Sequence, residues 1–281
     1  MNRSWLIPVV GVVAAACARS DAQNAPPPFT NRATGFGAEY VAKLESVQTH
    51  GEWVTYAGRG GDSVKAYVAY PMSSSAAPAM IIIHEIFGLS DWIRTVADDF
   101  ASKGYVAIAP DLLTRRGGTV SADSARKLIG GLPPDSITVD LDATVAYLNS
   151  LKAVKKNAIG AIGFCWGGGQ SFRYATNNPD LKVAVVCYGV NPDLATVSRI
   201  KGKVLATYAD NDARIDSMIP YVEKAMQGAG KVYDHKIYPG ARHGFYRSRG
   251  TGKPPADSIA EAAQADTGWA KIISFVKANL K

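Results

Sequence analysis

The chain has 281 residues, of which 47% are hydrophobic and 20% are charged, so it can bury the core of one large α/β domain or two small ones. Its formal net charge of +7 comes from lysines and arginines that are scattered along the chain. Because there is no basic block and no basic stripe interleaved with aromatic residues, we do not expect a nucleic-acid-binding protein.

The first 22 residues differ in composition from the rest of the chain. An apolar run from Trp5 to Ala16 is followed by small residues, which is the pattern of a secretory signal peptide. Cleavage could follow Ala22, or it could precede Cys17 after a lipoprotein signal of residues 1–16, because Ala-Ala-Ala-Cys resembles a bacterial lipobox. We therefore predict an exported protein, periplasmic or lipid-anchored in the bacterial envelope, that would contact the membrane only through a lipid on Cys17.

Residues 23–30 contain three consecutive prolines and predict an extended linker between the export signal and the domain. The remaining sequence shows neither an internal repeat nor a second core. We therefore predict one domain, spanning residues 31–281.

Within this domain, apolar runs alternate with segments whose apolar residues have helical spacing. Alternation around a Gly-rich turn predicts an edge hairpin of Glu52–Tyr56 and Val64–Tyr70. Further strands are predicted at Ala79–Ile83, Tyr105–Ala109, Ala158–Ile162, Val183–Tyr188, Val204–Tyr208 and Tyr233–Tyr238. Helices are predicted at Asp91–Ser102, Ala122–Ile129, Asp135–Leu151, Ile219–Ala229 and Ile259–Leu280. The alternation is typical of an α/β fold with a mostly parallel central sheet and helices on both faces, in which ligands bind beyond the carboxyl ends of the strands.

Cys165 lies at the corner between a predicted strand and a segment with helical spacing. Gly163 and Gly167 stand two positions on either side of it, where a side chain would clash in so sharp a turn. This is the pattern of a nucleophile elbow, with cysteine in place of the commoner serine. The alternatives are a buried structural cysteine or a disulfide with Cys187, which ends an apolar run and resembles a core strand residue.

A cysteine hydrolase needs a base for the thiol proton and an acid that orients the base. Of the four histidines, His243 follows a predicted strand, where α/β-hydrolases carry their base. The acid should lie between nucleophile and base in the chain, and Asp210, Asp212 and Asp216 all follow one strand. We choose Asp212, because an acid a few residues past the strand end can reach back under the imidazole, and keep Asp210 as the second choice.

Five blocks of sequence, in this order, resemble the dienelactone hydrolase family, the cysteine-nucleophile branch of the α/β-hydrolases. The blocks are His84-Glu85-Ile86-Phe87-Gly88, Ala109-Pro110-Asp111-Leu112, Gly163-Phe164-Cys165-Trp166-Gly167-Gly168, Asp210-Asn211-Asp212 and Ala241-Arg242-His243-Gly244-Phe245. The resemblance extends from the edge hairpin to the C-terminus. It implies an α/β-hydrolase fold and a hydrolase acting on esters or lactones, with Cys165 as nucleophile, His243 as general base and Asp212 as the orienting acid.

The resemblance also implies roles for residues around these three. Glu85 would interact with the resting thiol and help to control its ionisation, and the backbone N–H groups of Ile86 and Trp166 would form the oxyanion hole. Arg115 and Arg247 fall where the family binds the substrate carboxylate, a role that suits the planar guanidinium group.

Two features depart from the family pattern. His84 stands where the best-known members carry glutamine, and the export signal is foreign to cytoplasmic catabolic enzymes. Both features bear on the identity of the substrate more than on the chemistry.

The sequence thus predicts an exported hydrolase that cleaves a small-molecule ester or lactone through a Cys-His-Asp triad. Neither a cofactor nor a metal is expected, since the four histidines have no metal-ligand spacing. One alternative is a binding protein of the cell envelope that keeps the fold without turnover. Another is a redox protein that uses Cys165 and Cys187, although the sequence has no Cys-x-x-Cys motif.

Overall fold

The computed structural model describes residues 38–249 and 259–281. The predicted signal peptide and linker, residues 1–30, lie outside this part of the chain, as do residues 31–37 of the predicted domain.

The described residues form one eight-stranded sheet. Its strands are β1 (His50–Ala57), β2 (Ser63–Tyr70), β3 (Ala77–Ile83), β4 (Val106–Pro110), β5 (Val154–Phe164), β6 (Val183–Cys187), β7 (Lys203–Asn211) and β8 (Tyr233–Arg242). Their order across the sheet is β1-β2-β4-β3-β5-β6-β7-β8. The six strands from β3 to β8 are parallel, and β2 runs antiparallel to its neighbours β1 and β4. The predicted edge hairpin is therefore present as β1 and β2.

Helices cover both faces of the sheet. They are α1 (Ala38–Ser46), α2 (Asp91–Ser102), α3 (Ala122–Ile129), α4 (Pro134–Ser150), α5 (Trp166–Asn177), α6 (Ala213–Asp216), α7 (Ile219–Gly228) and α8 (Ile259–Asn279). Buried residues of α2 and α8 belong to the core on one face, and those of α4, α5 and α7 belong to the core on the other. None of the helices in the described residues is long and apolar enough to span a membrane.

The two cores follow from the apolar runs of the parallel strands. In β3, Met80 and Ile82 face one core while Ile81 and Ile83 face the other, and all four are fully buried. Because successive side chains point to opposite faces, a strand covered on both faces must be apolar throughout. Such a strand offers polar groups only at its ends, so the polar residues at the carboxyl ends gather at one edge of the sheet.

The observed elements differ from the predicted ones mainly at their ends. Strand β8 continues past Tyr238 to Arg242, with an irregular register opposite Ala209 and Asn211 in β7. No local pattern marks this extension, because Pro239-Gly240 resembles a turn. The longer strand ends immediately before His243. Helix α1 was not predicted from the sequence.

Candidate active site

The turn at Cys165, between β5 and α5, is so tight that the residues two positions on either side of it must be glycine. Cys165 has a positive φ of 56°, which is rare and strained for a residue with a side chain. A Cβ atom at Gly163 would collide with the carbonyl oxygen of Gly167, and one at Gly167 would collide with that of His84. The two glycines therefore permit the close packing that presents Cys165 at the carboxyl edge of the sheet.

Both described cysteines are free thiols. Cys165 is partly exposed and Cys187 is fully buried, and their only described link is a 3.0 Å hydrogen bond from the Cys165 N–H to the Cys187 carbonyl. Burial raises the pKa of the Cys165 thiol, and the negative charge of Glu85 raises it further. The Trp166 N–H and the positive charges of Arg247 and Arg214 act in the opposite direction. At rest the thiol therefore keeps its proton.

The structure joins Asp212 to His243. The imidazole Nδ1 lies 2.5 Å from Asp212 Oδ2, and Asp212 is buried while Asp210 is exposed. Since the carboxylate only accepts, Nδ1 carries the proton and Nε2 is left to accept one. Asp212 follows β7 and His243 follows β8, so both lie at the same sheet edge as Cys165.

Glu85 is buried just after the end of β3 and forms an ion pair with Arg247. The carboxylate is 2% exposed, and Arg247 Nη1 lies 3.6 Å from its Oε1. Burial raises the pKa of Glu85 to about 7, against the opposing effect of Arg247. Near neutral pH this carboxyl group can therefore exist in either protonation state.

The two expected oxyanion donors lie on either side of Cys165 in the fold. The Ile86 N–H follows β3 and has no hydrogen-bond partner in the described part of the chain. The Trp166 N–H opens helix α5, where backbone donors lack intrahelical partners, and it lowers the pKa of the Cys165 thiol. Backbone donors in this position can stabilise negative charge on a carbonyl oxygen.

Arg115, which the resemblance implies as a ligand of the substrate carboxylate, is paired with two acidic residues of the chain. Its guanidinium forms hydrogen bonds of 2.9 and 2.7 Å to Asp140 Oδ1 and an ion pair with Asp62. Asp62 lies in the turn of the β1–β2 hairpin, several strands across the sheet from β5. The adjacent Arg116 instead donates to the Gly131 carbonyl. The guanidinium of Arg115 is thus held by the buried carboxylate of Asp140.

Two other arginines approach the site and were missed in the sequence. The guanidinium carbon of Arg126 lies 5.8 Å from the ring centroid of Phe87, whose ring also has Arg247 at 5.2 Å. Arg214 follows Asp212 by two residues, and its charge acts at Cys165. Arg126 lies on the exposed face of a helix, where its position in the sequence could not distinguish it from a solvated surface residue. For Arg214, proximity to the chosen acid was the available signal.

Tyr188 was also missed. It follows β6 with a positive φ of 40°, its ring lies 5.0 Å from that of His243, and its buried hydroxyl has no partner among the described residues. At the end of an apolar run it could not be distinguished from an ordinary core residue. Its ring packs at a tilt against the imidazole of His243.

In the described ranges, no group of three or more His, Cys, Asp or Glu side chains is arranged to hold a metal ion.

The sheet, the strained corner and the acid and histidine that follow it in the chain define an α/β-hydrolase. The model of the dienelactone hydrolase family matches residues 64–280, and the chain belongs to this family. It is a hydrolase that acts on ester or lactone bonds.

Curated relatives and solved structures agree with this assignment. The chain is 32% identical to a "Putative carboxymethylenebutenolidase" of Saccharolobus solfataricus, over 77% of this chain and 95% of the relative. It is 31% identical to a protein of the same name from Yersinia pestis, over 85% and 93%. The crystal structure of a "Putative Dienelactone Hydrolase" from Klebsiella pneumoniae superposes with a TM-score of 0.72 at 26% identity, covering 82% of this chain and 98% of the other. The predicted α/β-hydrolase fold is thereby confirmed.

Proposed function

We propose that this protein is an exported hydrolase that cleaves an ester or lactone through Cys165, His243 and Asp212. The observation that carries the proposal is the 2.5 Å contact between His243 and Asp212 at the sheet edge where Cys165 occupies a strained corner. Nucleophile, acid and base thus follow β5, β7 and β8 in chain order.

In this mechanism the thiol proton moves to Nε2 of His243, and Asp212 stabilises the resulting imidazolium. The thiolate attacks the substrate carbonyl carbon, and the carbonyl electron pair moves to oxygen, where the N–H groups of Ile86 and Trp166 stabilise it. Collapse breaks the ester C–O bond, and the leaving oxygen takes the proton from His243. The acyl group is then held as a thioester on Cys165.

Deacylation repeats these steps with water. His243 removes a proton from water, the hydroxide attacks the thioester carbonyl, and collapse breaks the C–S bond and releases the acid, after which the thiolate takes the proton back from His243. In a lactone the leaving oxygen remains tethered to the acyl group, so ring opening gives one hydroxy acid. A thiol suits esters with good leaving groups better than it suits amides.

The arginines of the site favour a substrate that carries a carboxylate. Arg247 and Arg126 contact the same Phe87 ring, next to the proposed oxyanion donor Ile86, and Arg214 adds positive charge at Cys165. A guanidinium group can hold a carboxylate with two parallel hydrogen bonds. Because Arg115 pairs with Asp140 and Asp62, we do not include it in this subsite.

The proposal of export rests on the signal-like pattern of residues 1–22. Mass spectrometry of the mature N-terminus from envelope fractions tests it. We expect an N-terminus at lipidated Cys17 or after Ala22; an intact N-terminus in the cytoplasmic fraction would contradict the proposal.

The catalytic proposal is tested with a panel of lactones and aryl esters on wild type, Cys165→Ala and Cys187→Ala. We expect Cys165→Ala to fold and to lose turnover, while Cys187→Ala keeps it, because Cys187 is buried away from solvent. Turnover by Cys165→Ala at the wild-type rate would refute the nucleophile. If the wild type neither turns over any ester nor is alkylated selectively at Cys165, the binding protein without turnover is the better explanation.

A further inference from the structure

His84 is a fully buried histidine that contacts three parts of the site. Its Nδ1 lies 2.8 Å from the Glu85 carbonyl oxygen, and its Nε2 lies 3.3 Å from the backbone nitrogen of Leu112. Its ring also stacks on that of Trp166, with 5.4 Å between centroids and 19° between planes. His84 therefore joins the segment after β3, the loop after β4 and the elbow.

These contacts determine which nitrogen carries the proton. The Leu112 N–H can only donate, so Nε2 accepts, and the Glu85 carbonyl can only accept, so Nδ1 carries the proton and donates. A doubly protonated ring would face the Leu112 N–H with a second donor. Burial lowers the pKa of His84, although the charge of Asp111 opposes this, and the neutral ring is the form that fits both contacts.

The bond to Glu85 acts on the next residue through the peptide plane. The Glu85 carbonyl and the Ile86 N–H belong to one planar trans peptide unit and point in opposite directions. The same carbonyl accepts a second hydrogen bond, of 3.1 Å, from the Gly88 N–H. With its oxygen held by two donors, this peptide unit cannot rotate without breaking both bonds, so the direction of the Ile86 N–H is fixed.

The far end of this segment is held separately by the loop after β4. The Leu89 N–H donates to Thr119 Oγ1 at 3.0 Å, and Asp111 accepts both from the Thr119 N–H at 2.6 Å and from its hydroxyl at 2.9 Å. These bonds position residues 84–89 as a whole. In the described contacts, only His84 and Gly88 act on the peptide unit that contains the Ile86 N–H.

We propose that His84 is a positioning residue that orients the Ile86 N–H as an oxyanion donor, by donating its Nδ1 proton to the other end of the same peptide unit. It touches neither the substrate nor the thiol, and it stabilises the transition state through the direction of one backbone donor. This inference rests on the proposed function, because it assigns a way of positioning a donor in that mechanism.

A matched pair of variants tests the role. Glutamine offers both an N–H donor and an acceptor atom, as the neutral imidazole does, whereas methionine fills a similar volume and offers no N–H. We expect His84→Met to lower kcat on aryl esters by about 10²-fold, the order of magnitude for loss of one oxyanion donor, with KM changed less than about threefold. His84→Gln should recover at least about tenfold of that loss. The same pair at exposed His50 is the control and should leave kcat unchanged.

Alkylation of Cys165 by iodoacetamide separates this role from a general disturbance of the site, because the displacement of iodide passes through no oxyanion. We expect the alkylation rate of both His84 variants to stay within about twofold of wild type. Three results would each overturn the inference: full kcat in a folded His84→Met, equal losses in the Gln and Met variants, or alkylation that falls in parallel with kcat.

A measurement on the wild type covers the case in which His84→Met does not fold. Nitrogen-15 NMR of histidine-labelled protein, assigned with His84→Gln, should show a neutral ring protonated at Nδ1 at pH 7. A ring protonated at Nε2, or at both nitrogens, would overturn the inference. If the wild type turns over no ester at all, the proposed function fails instead, and the tautomer still reports on His84 separately.

Discussion

Two acidic residues of the candidate site, Asp212 and Glu85, have different partners in the fold. On one side, which we call the imidazole side, Asp212 hydrogen-bonds His243 at 2.5 Å. On the other, which we call the carboxylate side, Glu85 is 2% exposed, and its Oε1 lies 3.6 Å from Nη1 of Arg247. Both acids are buried, but Asp212 makes a short hydrogen bond whereas the ion pair of Glu85 with Arg247 is longer.

The difference indicates separate tasks. A short hydrogen bond to the imidazole fixes its tautomer and orientation, which a group that accepts and returns a proton in each turnover requires. Burial, opposed in part by Arg247, raises the pKa of Glu85 to about 7, and the negative charge of Glu85 in turn raises the pKa of the Cys165 thiol. We infer that the imidazole side moves protons during turnover and that the carboxylate side sets the ionisation of the resting thiol.

The largest effect is expected on the imidazole side. Asp212→Asn should lower kcat by about 10³- to 10⁴-fold, because an amide can donate to Nδ1 and so favour the wrong tautomer of His243. Steady-state kinetics on an aryl ester measure it, with Asp210→Asn at the exposed neighbouring acid as the control. Equal activity of the two variants would remove the assigned task from Asp212.

The carboxylate side should be visible in the stability of the fold. Because the pKa of Glu85 is raised from 4.5 to about 7 on folding, its contribution to stability is fully present below pH 4.5 and is lost as pH rises through 7. The free energy of unfolding of Glu85→Gln should therefore exceed that of wild type by up to about 3 kcal/mol above pH 8. At pH 4.5 the two free energies should be nearly equal. Urea denaturation at the two pH values measures the difference. The exposed Glu223→Gln should show no such dependence, and a pH-independent effect of Glu85→Gln would contradict burial as the cause.

How far the sequence could predict each side depends on the distance over which its interactions act. The strand-to-helix corner at Cys165 and the order of Asp212 and His243 are local or ordinal features, so they could be predicted. The apolar runs likewise predicted the parallel strands, because burial on both faces leaves a local pattern.

The contacts of Arg115 show what a local sequence pattern does not contain. Arg115 is drawn to Asp62 and Asp140, which lie 53 and 25 residues away in the chain and meet it only in the folded sheet. No local sequence pattern indicates that the long side chain of an arginine will meet a buried carboxylate in the fold. For the same reason, the two contacts of His84 Nε2 and Nδ1 could not be read from its position after a strand.

Arg247 connects the two sides, since it follows His243 in the chain and pairs with Glu85 in space. Arg247→Met should lower the ratio of kcat/KM for a carboxylate-bearing aryl ester to that for a neutral one by about tenfold, the loss of one charge-assisted contact. Arg115→Met is the matched control. It should leave the ratio unchanged but lower the melting temperature, because buried Asp140 loses its partner. A change of the ratio in Arg115→Met would return that residue to the substrate site.

The smallest effect should appear in the reactivity of the resting thiol. Glu85→Gln removes a negative charge that raises the pKa of Cys165, so the thiolate should form at lower pH and iodoacetamide should alkylate Cys165 about threefold faster at pH 7. Burial, the larger cause of the raised pKa, remains in the variant, which keeps the expected change small. The pH profile of the alkylation rate measures this change. The measurement is made in a Cys187→Ala background, so that Cys165 is the thiol that reacts. An unchanged midpoint would mean that the charge of Glu85 does not reach the sulfur, and the carboxylate side would then lack the task that separates it from the imidazole side.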